Sequence, residues 1–274
     1  MPQPDESPAA SHALASVGVY RREVDASLER IWENVLDWEH LPWLHRESFN
    51  RIECLEQGPS GWRAKVGLAP ETTGQEILLE VALERPALRY VVRTLEGPGR
   101  GTEIWTQLRP VSSDRTRIEV EFLLPGIPPA RRDALARAYI QLYTLLWDQD
   151  ESMMVRRENQ LAAKSEASAA GPISLGPLAS LRPRLPLEIR LGGRGFRVVE
   201  LDGELVAHAT QCPHRLGPLG DAPIEDGCVR CSWHGYRFDV RTGRSADGRR
   251  LQLAAPPRVV IDPESSQVEL RFDR

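Results

Sequence analysis

Apolar and polar positions alternate through segments 49–56, 61–68, 76–84, 88–95, 103–110 and 116–124, with a further strand-like segment at 15–25 ahead of them. Period-two alternation sends every second side chain to one face, so each segment predicts a half-buried strand and the set predicts an antiparallel sheet. Gly97-Pro98-Gly99 and Ser112-Ser113-Asp114 mark hairpin turns between them. Ser27 suits a helix N-cap, and Arg30 and Ile31 open a helix that runs to about Asp37. Pro128-Pro129 is a favoured helix start, and the helix it opens extends to about Ala163. Strand, helix, antiparallel strands and one long closing helix predict an α+β domain over 15–164, preceded by a disordered stretch at 1–14.

The pattern then changes. Residues 165–183 are small, punctuated by proline and glycine, and show little periodicity, which predicts a linker. Beyond it, short strand candidates at 188–190, 195–201, 204–209, 228–231, 236–239 and 259–261 predict an all-β domain over 184–274. Gly192-Gly193-Arg194-Gly195 and Asp202-Gly203 read as hairpin punctuation, and no helix follows the glycines to make a nucleotide loop.

Length and charge narrow the partners. A chain of 274 residues with 41% hydrophobic content can fill two cores. A formal net charge of −4 gives no electrostatic case for nucleic acid or an anionic membrane surface. No apolar run approaches the roughly eighteen residues of a membrane span, and the acidic start lacks a signal-peptide apolar region. A cytoplasmic protein is expected.

The chemistry concentrates in two places. The first reads Cys212-Pro213-His214, then residues 215–230, then Cys231-Ser232-Trp233-His234-Gly235. Each box supplies one cysteine and one histidine. Structural zinc also takes two of each, but zinc knuckles usually put both cysteines in one box and both histidines in the other. The C-x-H…C-x-x-H pattern resembles the ligand set of a Rieske [2Fe-2S] domain, in which two histidines replace two cysteines on one iron. Gly217-Pro218-Leu219 and Gly235-Tyr236-Arg237-Phe238 resemble the loops that close over such a cluster, and residues 239–243 the hairpin turn that follows. Respiratory Rieske proteins carry a further, disulfide-bonded cysteine in each box; Gly217 and Ser232 stand there, so that bridge is absent. Trp233 before His234, followed by Gly-Tyr-x-Phe, resembles the ring-hydroxylating oxygenase and ferredoxin types and implies a potential low in the Rieske range. Cys54 and Cys228 lie outside the pattern and are expected as reduced thiols.

The second place is the stretch from Glu33 to His45, ENVLDWEHLPWLH. The opening of the domain, residues 24–32, resembles the START/polyketide-cyclase superfamily, whose helix-grip fold encloses an apolar ligand cavity. Asn34, Asp37, His40 and His45 together resemble the N-x-x-D-x-x-H-x-x-x-x-H signature of Rieske non-haem iron oxygenases, whose catalytic domain is also a helix-grip. That resemblance implies His40 and His45 as ligands of a mononuclear Fe(II), a carboxylate from the long helix as the third, and Asp37 as the link to a Rieske histidine. Two histidines five apart would not share a face of a regular helix, and Pro42 breaks that regularity. Two carboxylates compete for the third position. Leu135, Leu142, Leu146, Gln149 and Met153 mark the inward stripe of the long helix; Asp150 lies roughly 70° from its centre, on the side of Tyr139, and Asp148 about 130° away on the other. Asp150 is the choice and Asp148 the alternative. Many metal-free helix-grip proteins carry D-x-x-x-x-P-x-W at this place, where the tryptophan and proline pack, and both aspartates could be solvated surface acids.

The resemblance implies an oxidoreductase, a mono- or dioxygenase that uses O2 and external electrons to hydroxylate or demethylate a small, largely apolar substrate. With neither Rossmann nor flavin fingerprint in the chain, an NAD(P)H-dependent reductase, with or without a ferredoxin, is the expected partner. The family's head-to-tail homotrimer is the expected assembly. One departure is large: those oxygenases place the Rieske domain first, and here it comes last. The competing expectation is a metal-free hydrophobic-ligand domain fused to a Rieske electron-transfer or redox-sensing module. Trp62, Tyr90 and Trp105 are candidate cavity residues.

Overall fold

The computed structural model describes residues 13–163, 172–191 and 193–272. The expected disordered N-terminus lies outside the described residues up to position 12, as do Lys164, residues 165–171 of the expected linker and Gly192 of the expected hairpin. Two compact units are present, Met1–Glu151 and Ser152–Arg274.

The first unit is one antiparallel sheet of seven strands. They are β1 (Leu14–Val24), β2 (Phe49–Gly58), β3 (Gly61–Leu68), β4 (Glu76–Glu84), β5 (Arg89–Glu96), β6 (Glu103–Pro110) and β7 (Thr116–Pro125). Their order is β1-β7-β6-β5-β4-β3-β2, so consecutive hairpins run from β2 to β7 and β1 closes against β7. The alternation in sequence is the alternation in space: along β7 each second residue from Thr116 to Leu124 is buried, and in β4 Ile77, Leu79, Val81 and Leu83 are. Strand β5 starts one residue later than its pattern suggests, because Leu88 takes a left-handed φ of 48° to end the turn after β4.

Helix α1 (Leu28–Leu36) begins where Ser27 accepts a hydrogen bond from the Arg30 amide at 3.2 Å. Its far end is tied to the sheet, since the Trp62 indole donates to the Val35 carbonyl at 2.8 Å. The long helix α3 (Pro129–Ala163) packs on the buried face through Tyr139 and Tyr143, both with ring centroids 5.0 Å from Phe122. Close approach needs Gly18 at the β1 bulge, where an added Cβ would stand 3.0 Å from the Ala136 methyl. Arg22 of β1 pairs with Asp148 and Glu151, pinning the helix to the sheet edge. The arrangement is the expected α+β helix-grip.

The second unit carries three small antiparallel sheets. Strands β9 (Leu187–Leu191), β10 (Arg194–Leu201) and β11 (Glu204–Ala209) form one, and β12 (Ile224–Glu225), β13 (Cys228–Arg230) and β14 (Arg237–Asp239) the next. The third corrects the expected linker over 165–183. From Ile173 that segment is folded: β8 (Ile173–Pro177) pairs with β16 (Gln267–Arg271), which pairs with β15 (Arg258–Ile261), and α4 (Leu178–Leu181) follows β8. Gly176, at φ 86°, sits in the β8 irregularity. Its glycine and prolines suit an edge strand as well as a linker. No helix among the described residues is long and apolar enough to cross a membrane.

Candidate metal centres

Two loops of the second unit have the same construction. In the first, the Cys212 amide donates to the Gly217 carbonyl at 2.9 Å and the Leu216 amide to the Cys212 carbonyl at 3.0 Å. In the second, the Cys231 amide donates to the Tyr236 carbonyl at 2.9 Å and the Gly235 amide to the Cys231 carbonyl at 2.8 Å. Each loop is closed on itself and curls its amides round a sulfur, Cys212 receiving those of His214 and Arg215 and Cys231 those of Trp233 and His234. Such bonds favour thiolate, the form that binds metal. Leu216 (φ 64°) and Gly235 (φ 69°) take the left-handed turns this curl requires. Leu216 has a side chain to strain there, a conformation found mostly where function demands it.

The two loops bring like donors together. Both cysteine sulfurs are fully buried and in contact; the Cys212 S–H donates to Cys231, which lowers the Cys231 pKa to about 5 and raises that of Cys212. The His214 and His234 rings meet edge-to-face with centroids 4.5 Å apart. Two buried thiols in contact and two facing imidazoles, with His234 also bonded to Cys231, offer the two-cysteine, two-histidine donor set of a Rieske cluster. Gly217 packs closely against the second loop: a Cβ there would stand 2.7 Å from Cys231 Sγ and 3.0 Å from the Trp233 ring. The described residues contain no disulfide, and Cys54 and Cys228 are free thiols as expected.

The first unit assembles the other centre. Helix α1 stops at Leu36, a single 3-10 turn covers Trp38–His40, and the short α2 (Leu41–Leu44) restarts with Pro42 in its first turn. This broken path turns His40 and His45 toward each other, with ring centroids 5.0 Å apart. From α3, Asp150 Oδ1 reaches the Nε2 atoms of both, at 3.5 Å from His40 and 3.1 Å from His45. The three ligand atoms lie within 4.8 Å of one another and the histidines are buried. Asp148 is elsewhere: its side chain is 57% exposed and paired with Arg22, so the helical phase puts the two carboxylates in different surroundings.

The surroundings suit a cation. The His45 Nδ1 faces Gln149 Oε1 at 2.7 Å; an amide oxygen only accepts, so Nδ1 carries the proton and Nε2 presents its lone pair inward. Burial opposes charge on His45, but the Asp150 carboxylate outweighs it and raises the pKa. Burial likewise opposes ionised Asp150, yet His45, His40 and a hydrogen bond from Asn34 hold its pKa down. Two imidazoles and one carboxylate leave open positions on one face of Fe(II). Nearby, burial keeps the Tyr90 and Tyr143 phenols protonated, and the Asp150 charge adds to that.

Asn34 and Gln149 contact Asp150 and His45 and were singled out in sequence only as a signature letter and a stripe position. Asp37 is buried at the C-cap of α1, its amide donating to the Asn34 carbonyl at 3.0 Å. Trp62 and Tyr90 are buried in the sheet's inner layer; Trp105 departs from expectation, alternating out of phase with buried Ile104 and Thr106, with Arg89 over its ring at 4.4 Å.

The Rieske [2Fe-2S] domain family model matches residues 172–256. Pheophorbide a oxygenase, chloroplastic, of Oryza sativa subsp. japonica is 39% identical over 88 residues, which cover 31% of this chain and 16% of that protein. The anthranilate 1,2-dioxygenase ferredoxin subunit of Burkholderia cepacia is 32% identical over 79 residues, covering 29% of this chain and 73% of that one. A solved structure, the Zhui aromatase/cyclase of Streptomyces sp. R1128, matches 53% of this chain and 95% of its own with a TM-score of 0.43 and 14% identity. The chain thus spans a small part of the oxygenase and most of the ferredoxin subunit. On the cysteine–histidine loops, the family model and the ferredoxin relative, the chain belongs to the Rieske [2Fe-2S] protein family.

Proposed function

We propose that this protein is a Rieske non-haem iron oxygenase with its domains in reversed order. The observation that carries the proposal is the meeting of His40, His45 and Asp150 within 4.8 Å in a chain that also carries Rieske loops. Iron(II) held by these three residues would supply dioxygen activation against a small, largely apolar substrate, hydroxylating it or removing a methyl group.

The chain's own residues do the rest. Gln149 fixes the His45 tautomer, so that a neutral imidazole is offered without reorganisation. Asn34 steadies Asp150, whose single negative charge offsets part of the metal's. The inner face of β4, β6 and β7 is lined by apolar side chains such as Leu79, Ile104 and Val120, which exclude water and favour an apolar ligand. Tyr90 and Tyr143 keep their phenolic protons at neutral pH and can donate hydrogen bonds there. Cys212, His214, Cys231 and His234 carry the cluster that stores one electron at a time. Asp37 is assigned the link between the two centres, across which a carboxylate hydrogen-bonds a ligand histidine on each side. Electrons come from an NAD(P)H-dependent reductase, directly or through a ferredoxin, in a cytoplasmic homotrimer.

A second reading has one observation in its favour, the similarity to a ferredoxin subunit: the second unit would be an electron carrier and the first a metal-free ligand-binding module. Iron and acid-labile sulfide analysis of protein produced with iron separates the two. The oxygenase requires about three irons for two sulfides, falling to two in His45→Ala with the Rieske visible and EPR spectra unchanged. Two irons for two sulfides in the wild-type protein would overturn the proposal.

A further inference from the structure

Tyr236 is the second residue after the ligand His234, and its ring bears on both ligand histidines. It stacks on His214 with centroids 4.7 Å apart and planes 30° apart, and lies 5.8 Å from His234. The Arg249 guanidinium lies over the same phenol ring, 3.9 Å from its centroid. Two partners so close to one centroid cannot share a face, so the phenol is sandwiched between a cation and an imidazole. We propose that Arg249, acting through Tyr236, is a positioning residue that sets the cluster's reduction potential.

The stack is built into the fold. Arg249 belongs to a loop clamped to β14, the strand that follows Tyr236. The Ala246 amide donates to the Arg237 carbonyl at 2.9 Å, and the Arg237 amide to Asp247 Oδ2 at 2.7 Å. The Asp247 amide donates to Ser245 Oγ at 3.2 Å, and the Ser245 amide to the Leu251 carbonyl at 3.1 Å. Gly248, at φ 71°, makes the turn that sends the next residue back over the ring.

The direction of the effect follows from charge. A cluster with two thiolates and two neutral imidazoles is neutral when oxidised and carries one negative charge after accepting one electron from a reductant. A cation favours the reduced form. The spacings of 3.9 and 4.7 Å keep the guanidinium within about one screening length (~10 Å at 0.1 M salt) of His214. Cation–π attraction also holds the phenol against the His214 imidazole, fixing a ring that would hold one of the irons.

The inference depends on the Rieske cluster alone and is independent of the oxygenase proposal. It is tested by redox titration of the full-length holoprotein, followed by visible absorption and EPR. Arg249→Met, which keeps the stem and removes the charge, should lower the potential, so that at a fixed poise the ratio of reduced to oxidised cluster falls roughly two- to tenfold. Arg249→Lys should stay within about twofold of the wild type, and added salt should narrow the gap between Arg249→Met and the wild type. In a Tyr236→Leu background the platform is gone, and Arg249→Met should produce little further change. An unchanged potential in Arg249→Met with an intact cluster, or an equal shift in both backgrounds, would overturn the inference. Should Arg249→Met fail to assemble its cluster, the salt dependence of Arg249→Lys against the wild type decides: parallel responses support the charge reading, divergent ones refute it.

Discussion

Gln149 offers the sharpest probe of the mononuclear site, because it binds no metal yet controls a residue that would. Its Oε1 accepts the His45 Nδ1 proton at 2.7 Å, so the ring's other nitrogen is left bare and aimed at Asp150, 3.1 Å away. Gln149→Leu keeps the side-chain volume and removes the acceptor. The buried ring is then free to place its proton on Nε2, the ligating nitrogen, and its N–H loses a partner. Loss of such a supporting hydrogen bond lowers metal affinity by about 10- to 100-fold, equivalent to about 1.4–2.7 kcal/mol. Gln149→Glu retains an acceptor and should stay within about tenfold of the wild type. The assay is anaerobic Fe(II) titration in competition with a chelator, with the Rieske visible spectrum as an internal check that the chain is folded. An affinity within twofold of the wild type in Gln149→Leu, in a protein whose His45→Ala variant binds no mononuclear iron, would refute the tautomer argument.

Three further outcomes are expected. Asp37→Asn should leave iron and sulfide content unchanged while slowing single-turnover reoxidation of the cluster by orders of magnitude; reoxidation at the wild-type rate would remove the bridging role. Gly217→Ala places a Cβ 2.7 Å from Cys231 Sγ and against the Trp233 ring, so the cluster should be lost or labile on anaerobic purification, and a wild-type EPR spectrum would contradict that packing. His208 is buried with its Nδ1 facing the Ala209 carbonyl at 3.0 Å; burial, with a smaller contribution from Arg197, lowers its pKa despite that bond. A base with a depressed folded pKa binds more protons when unfolded, so its stabilising effect is complete above the unfolded value of about 6.5 and is lost as pH falls below it. Denaturant unfolding between pH 7 and 5 should show a steeper decline for the wild type than for His208→Leu; equal slopes would refute it.

The fold was legible wherever one face of an element is buried and the other wet. Strands β4, β6 and β7 alternate because one face of the sheet is buried, and all six strands from β2 to β7 sit within about two residues of their pattern. The segment 173–183 was not, because β8 is short and broken by Gly176 and Pro177, and its partner β16 lies at the far end of the domain. Composition there carries the signature of a loop, whereas pairing decides its structure. Strand β12 has two residues, too few to show any period.

The two centres differ in legibility for a reason rooted in how each is built. Each Rieske loop folds on itself: six residues, from cysteine to the carbonyl that closes the loop, contain the ligands, the turn and the amides around the sulfur. A motif whose contacts are local survives as a string of letters, and the Rieske domain could be read from it. The cluster of His40, His45 and Asp150 joins a broken helix to a carboxylate more than a hundred positions later, and only the phase of α3 linked them. That phase sufficed to prefer Asp150 over Asp148, because helical geometry turns a two-residue offset into opposite environments. It could not supply the partners of the ligands. Asn34 and Gln149 act by hydrogen bonds that exist only after the sheet has brought α1 and α3 together, and their side chains are ordinary in sequence. Residues that hold other residues are encoded in the tertiary structure, and their contribution is measured by removing one acceptor at a time.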